Sequence, residues 1–315
     1  MDHAIPLFDG HCDTILRCYQ RGGRLAENDG HLDLARVGKY APYAQFFALF
    51  GDSGEQGRPL RRIFEEELAL YRREIGANHD RIAHCTTAAQ ARFAFRRGKA
   101  AAFLSVEGAE LLDCDLGRLE EEAWRLGVRA VNLTWNRPNA LSGTNAAEQD
   151  RGLSPLGRAF VRRMEELGML VDVSHLSDPG FWDVAEMAQK PFFASHSNSR
   201  AVFFDPRNLT DAQFTAIIEH HGVAGLNLYA GFLGEEADLD TVVAHLEHFL
   251  ALGGEANVAV GGDWDGCETL PRGVSGIQDM DRLYERLLRR NYPEALVRAL
   301  FYDNLMRVVS KVCTM

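Results

Sequence analysis

The 315 residues are 46% hydrophobic and 25% charged, the make-up of a globular chain able to bury about 75% of its unfolded surface. A formal net charge of -11 argues against a nucleic-acid partner, which needs clustered Lys and Arg, and against an anionic membrane surface. No apolar run approaches the roughly 20 residues of a membrane span, and the opening Met1-Asp2-His3-Ala4-Ile5-Pro6 lacks the basic start and apolar run of a signal peptide.

The six cysteines are scattered without paired spacing, which reads as reduced thiols in a cytoplasmic protein. Length and pattern predict one domain over residues 1–315, with no linker or repeat.

The first apolar run, Ala4 to Phe8, leads into Asp9-Gly10-His11-Cys12-Asp13. Alternation along a strand puts His11 and Asp13 on one side and Cys12 on the other, so an imidazole and a carboxylate can grip one ion. Tyr43 to Phe50 is a second strand, followed by polar residues 51–59. Leu60 to Ile75 has helical spacing and many Glu/Arg pairs, the pattern of a solvated helix face. Thr87 with Gln90 forms a capping box opening another helix that ends near Gly98.

Ala100 to Val106 is a third strand, closed by Glu107-Gly108. A carboxylate at the end of a continuous apolar run is costly to bury alone, and its two oxygens suit a bridge between two cations. Gly117 to Leu126 is helical and Val128 to Leu133 is a fourth strand. The polar stretch from Thr134 to Ser154 is long for a connection and therefore a candidate functional loop. Ser154-Pro155 caps a helix reaching Gly168.

Leu170 to His175 and Pro191 to His196 are two short apolar runs, each stopping at a Ser-His pair. Asp178-Pro179 between them reads as a helix start with Asp178 as the cap. A strand–helix–strand unit of this kind pairs its strands in parallel, which brings His175 and His196 to one edge. Arg207 stands just outside a helix whose start is the Thr210/Gln213 capping box. It is either a surface residue or a fork for a carboxylate.

Val223 to Leu228 is a seventh strand. Leu239 to Leu252 is an amphipathic helix on which His245 and His248 read as solvated. Val258 to Gly262 is the eighth strand, and Asp263 and Asp265 after it alternate on one face. Helices follow from Ile277 to the end.

Eight strands separated by helical segments predict a (β/α)8 TIM-type barrel with extra C-terminal helices. His11, Asp13, Glu107, His175, His196 and Asp263 come from five of those strands and all stand at carboxyl ends. That edge of a barrel carries its chemistry.

These stretches resemble the membrane (renal) dipeptidase family of metal-dependent amidohydrolases. The matching pieces are Asp9-Gly-His-Cys-Asp13, Val106-Glu-Gly108, Val171-Asp-Val-Ser-His175, Ser195-His-Ser197, Arg207-Asn208 and Gly261-Gly-Asp-Trp-Asp-Gly266. The resemblance implies two divalent ions, zinc by family habit, at the barrel mouth. His11 and Asp13 would hold one, His175 and His196 the other, and Glu107 would bridge them. It also implies hydrolysis of dipeptides by a hydroxide between the ions, with tolerance of a D-residue at the C-terminal position. Asp263 matches the proton-transfer residue and Arg207 the group that binds substrate carboxylate.

One position departs from the family. A His expected in Leu133-Thr134-Trp135-Asn136 is replaced by Trp135, so the donor to the substrate carbonyl is missing or comes from elsewhere, with Asn136 the nearest replacement. Both residues are therefore candidate substrate contacts. Three functions follow for comparison. The first is a zinc dipeptidase acting on a small peptide, as a monomer or a homodimer. The second is a metal-dependent amidohydrolase acting on another small amide, an N-acyl amino acid or a lactone. The third is a metal-binding barrel without catalysis, which the complete set of ligands and acid disfavours. The same ligands accept Mn²⁺, Co²⁺ or Fe²⁺, so the residues alone do not choose the metal.

Overall fold

The computed structural model describes residues 4–52 and 58–315. Its strands are β1 (Ile5–Cys12), β2 (Tyr40–Phe50), β3 (Ile82–His84), β4 (Ala100–Glu107), β5 (Val128–Asn132), β6 (Leu170–Asp172), β7 (Phe193–Ala194), β8 (Val223–Leu226) and β9 (Val258–Val260). They pair in parallel in the order β2-β1-β9-β8-β7-β6-β5-β4-β3, and a further β2–β4 pairing closes the sheet on itself. The result is an eight-stranded (β/α)8 barrel, as the alternation of apolar runs and helical segments requires. The additional strand β3 lies outside the ring: Ile82 pairs with Ala100 at the start of β4, while β5 takes the far end of the same strand. Three residues are too few to show a period, so the pattern does not announce it.

Phenylalanines fill the barrel. Phe8, Phe46 and Phe103 stand within 5.2–5.7 Å of one another by ring centroid, and Phe193 from the opposite wall lies 5.9 Å from Phe46. All four are fully buried, and each such ring contributes about 1.5–3 kcal/mol by burial. Where backbones crowd the axis only glycine fits. A Cβ on Gly261 would stand 1.8 Å from the Ser195 carbonyl, and one on Gly225 2.1 Å from it. Tyr302, Leu305, Met306 and Val309, from the chain's final helical stretch, belong to the same apolar cluster and close the amino end. Asn304 fastens that stretch by donating to the carbonyls of Val258 (2.8 Å) and Glu255 (2.9 Å). The carboxyl end is left for chemistry.

Several local expectations change. Strands β6 and β7 stop before their Ser-His pairs, because Asp172 Oδ1 accepts the amides of Ser174 and Ser195, both at 3.0 Å, in place of ladder bonds. Helix Asp178–Met187 is capped by Ser177, whose hydroxyl accepts from Gly180 N, while Asp178 instead holds Arg200 and Gln213. Helix Leu60–Ala77 is not solvated on every charge. Glu67 and Glu74 are buried, accepting the amides of Phe50 (2.9 Å) and Leu25 (3.0 Å). In the Thr87 cap, Gln90 reaches back to the amide of Thr86 (2.7 Å) rather than that of Thr87. The capping box at Thr210 and Gln213 is complete. Of the polar segment after β2, residues 53–57 lie outside the described residues.

Candidate active site

Each candidate side chain reaches the mouth for a local reason. In β1 the register slips between Asp9 and Cys12: three steps there match the two from Gln45 to Phe47. The extra residue is a bulge, and bulges re-aim side chains. Gly10 thereby faces the axis, 2.8 Å from Ser195 O for a notional Cβ, while His11 still turns to the mouth. His175 (φ 71°) and Asp263 (φ 55°) sit in the left-handed region, a strained backbone that non-glycine residues hold where surrounding structure demands it.

Glu107 is the hub. Its Oε1 lies 2.9 Å from His175 Nε2 and 3.6 Å from His196 Nε2, and its Oε2 lies 3.4 Å from His11 Nε2. Asp13 Oδ2 is 3.5 Å from the same His11 nitrogen. The His11 and His196 rings stack at 3.9 Å. Ligating atoms of His11, Glu107 and His196 lie within 4.8 Å of one another, as do those of His11, Asp13 and Asp263. All six of these side chains are buried.

The donor chemistry fits divalent cations. His175 Nδ1 faces Asn136 Oδ1 at 2.9 Å, and His196 Nδ1 faces Ser195 Oγ at 2.6 Å. With those nitrogens protonated and donating, the two Nε2 lone pairs point at each other across 3.0 Å and at a carboxylate. Such an arrangement repels itself unless a cation stands between. Two imidazoles on one tetrahedral zinc stand roughly 3.3 Å apart. Burial pushes the pKa of both His175 and His196 well below the ordinary value, which keeps them neutral as ligands must be. His11 Nε2 and Asp13 Oδ1 have no hydrogen-bond partner among the described residues, another mark of groups waiting for an ion.

Charge is tuned by the same burial. It lifts Glu107 to about 7 against the opposing pull of His11, and lifts Asp263 against His11 and Arg207. For His11 burial acts downward, but the charges of Glu107 and Asp13 outweigh it and hold the imidazole well above its usual value; the same two carboxylates favour a metal cation on that nitrogen in place of the proton.

Arg207 is buried rather than at the surface. Its Nη1 donates to Ser197 Oγ at 2.8 Å and its guanidinium lies 5.7 Å from the Phe232 ring centre, while Nε and Nη2 have no partner among the described residues. Trp135 packs beside His175, ring centroids 6.5 Å apart. Asn136 has its amide oxygen committed to His175, so it fixes a tautomer.

Two expectations fail here. Asp265 does not share a site with Asp263: its carboxylate accepts from Thr14 Oγ1 (2.7 Å) and the His31 amide (2.6 Å), because its own left-handed backbone (φ 67°) turns it away. His245 is not solvated but buried, its Nδ1 accepting from Ser199 N (3.1 Å) and its Nε2 donating to Leu233 O (3.0 Å). It thus braces the segment that carries Ser197.

Three residues to which the sequence assigned no role also shape the site. Asn227 donates to Asp263 Oδ2 at 3.0 Å. It is the polar side chain inside the apolar run Val223 to Leu228, which was the available signal. Gly266 lets the two acids approach, since its Cβ would stand 2.1 Å from Asp13 Oδ2 and 2.4 Å from Asp263 Oδ1. Asp9 lies beneath, accepting the His11 amide (2.9 Å) and Trp264 Nε1 (2.8 Å), and so ties β1 to the loop that carries Asp263.

A buried set of histidines and carboxylates at the carboxyl edge of such a barrel has the make-up of a metal-dependent enzyme site. The chain belongs to the membrane dipeptidase family, peptidase family M19, whose model matches residues 1–315. It is accordingly a dipeptidase of that family, a hydrolase of peptide bonds with a site for divalent metal. It is similar to a metallopeptidase from Rhodobacter sphaeroides, solved with a phosphinate mimic of the dipeptide L-Ala-D-Ala. That likeness has a TM-score of 0.90 and 29% identity over 98% of this chain and 100% of that one. A second similar structure is the metallopeptidase dipeptidase AC, with TM-score 0.90 and 30% identity over 99% of this chain and 100% of that one. A Klebsiella pneumoniae protein, uncharacterized and named for the pqqA 5' region, is 32% identical over 263 residues, 79% of this chain and 96% of its own length. Among the described residues no helix is long and apolar enough to cross a membrane.

Proposed function

We propose that His11 and Asp13 hold one divalent ion, His175 and His196 a second, and that Glu107 bridges them, with zinc the natural occupant of so nitrogen-rich a set. The observation that carries this reading is the reach of one buried carboxylate, 2.9–3.6 Å, to three imidazoles from three strands. Those residues would hold the ions where the chemistry metal supplies, a polarised scissile carbonyl and a water of lowered pKa, would be available.

The protein's own groups do the rest. Arg207 takes the substrate's C-terminal carboxylate on Nε and Nη2, the two nitrogens lacking a partner among the described residues, and so fixes the peptide across the mouth. Asp263 holds the transferred proton on Oδ1, since Oδ2 is engaged by Asn227, and passes it to the departing amine. Asn136 fixes the His175 tautomer, and Trp135 lines the substrate's approach. A D-residue at the C-terminal position fits because recognition on that side goes to the carboxylate. The substrate is a small peptide, met in a cytoplasm that keeps the six buried cysteines as thiols.

The test compares free and C-terminally amidated dipeptides on the metal-loaded enzyme. Cleavage of the free forms with loss of at least tenfold in kcat/KM on amidation is expected. Equal cleavage of both removes the carboxylate role of Arg207.

A further inference from the structure

Phe50 ends β2, Trp135 follows β5, and their rings meet at the mouth with centroids 4.7 Å apart at 60°. Both residues are half-buried. Each is braced from behind by a carboxyl group. Glu67 Oε2 accepts Phe50 N at 2.9 Å. Glu110 accepts the Trp135 amide and is itself held by Asn139 Nδ2 at 2.8 Å. An Asp52–Arg137 ion pair at 3.2 Å ties the two segments together on their outer side. An apolar pair fixed this firmly, 6.5 Å from the ring of His175 on its Trp135 side, is a built surface.

Its place in the ring tells what it meets. Around the barrel, β2 and β5 flank β4, while the segment after β7 that carries Arg207 lies four strands from β2 in either direction and two from β5. A dipeptide whose C-terminal carboxylate rests on Arg207 and whose peptide bond lies over Glu107 therefore directs its N-terminal residue toward the β2 side of the mouth, where Phe50 stands with the Trp135 ring against it.

We propose that the Phe50–Trp135 pair determines specificity for the substrate's N-terminal residue, selecting an apolar or aromatic side chain. The inference rests on the dipeptidase reading above. A charged side chain would lose water against these rings without gaining a partner, whereas an apolar one is favoured by about tenfold or more over glycine.

The experiment uses the metal-loaded enzyme and two dipeptide series: Gly-Ala, Leu-Ala, Phe-Ala and Glu-Ala vary the first residue, and Ala-Gly, Ala-Leu and Ala-Phe vary the second. Wild type should favour Leu-Ala and Phe-Ala over Gly-Ala and Glu-Ala by at least tenfold in kcat/KM. Trp135→Ala should flatten the first series and leave the ranking of the second intact, while Trp135→Phe, which keeps an aromatic wall, should retain the preference. Phe50→Ala gives the same answer by an independent route should Trp135→Ala fold poorly. A flat first series in wild type, or equal losses in both series for Trp135→Ala, overturns the specificity wall and leaves the dipeptidase reading standing. Cleavage of no dipeptide by the loaded enzyme removes the dipeptidase reading, and this inference with it.

Discussion

At the scale of single residues the buried acids differ by partner. Glu107 faces imidazoles, Asp13 faces His11, and Asp263 faces Asn227, so three carboxylates in one pocket receive three roles. Replacing Asp263 with Asn tests its proposed part as proton acceptor while preserving shape. The expected outcome is unchanged metal content with kcat lowered by about 10²–10⁴, measured on a free dipeptide. Asn136→Leu acts differently, because it deletes the acceptor that fixes the His175 tautomer. Metal affinity should fall by roughly 10–100-fold in a competitive chelator titration. That His11, Asp13, Glu107, His175, His196 and Asp263 gather at one mouth was legible in the sequence because each stands at or just past the end of an apolar run, where an unpaired acid or imidazole has no structural excuse. The fates of Asp265 and His245 were not legible. Strand alternation assumes extended backbone, and Asp265 leaves it at φ 67°. Helical periodicity reports a helix's faces but not what the loop bearing Ser199 presses against them.

At the scale of elements, the eight barrel strands were visible as apolar runs bounded by turn residues. Their ends were not, because Asp172 substitutes side-chain bonds for ladder bonds in β6 and β7. The same substitution frees Ser174-His175 and Ser195-His196 to adopt the turns that aim both imidazoles. The helix between those strands starts at Ser177, and Ser177→Ala should cost about 1 kcal/mol of stability in denaturant unfolding. Gly266→Ala tests the loop after β9 more severely. A methyl group 2.1 Å from Asp13 Oδ2 must push the two acids apart. The variant should lose both metal affinity and turnover, with the loss in turnover exceeding that in thermal stability. Retention of wild-type turnover would show that the close approach of Asp13 and Asp263 has no chemical purpose.

At the scale of the whole molecule, the barrel is closed at its amino end by phenylalanines and the C-terminal helical stretch, and carries its buried histidines and carboxylates at the carboxyl end. Stability and function are thus separated along the barrel axis. Ions bound only by the folded chain stabilise it by mass action, about 2.7 kcal/mol at a hundredfold excess over Kd. Chelation should therefore lower the melting temperature, and restored zinc should recover it. The central claim is that Glu107 stands between two cations, and anomalous diffraction from crystals of the zinc-loaded protein tests it most directly. Two peaks are expected, roughly 3.5–4 Å apart, one beside His11 and Asp13 and one beside His175 and His196, with a Glu107 oxygen on each. A single peak away from Glu107, or none at the carboxyl mouth, contradicts it.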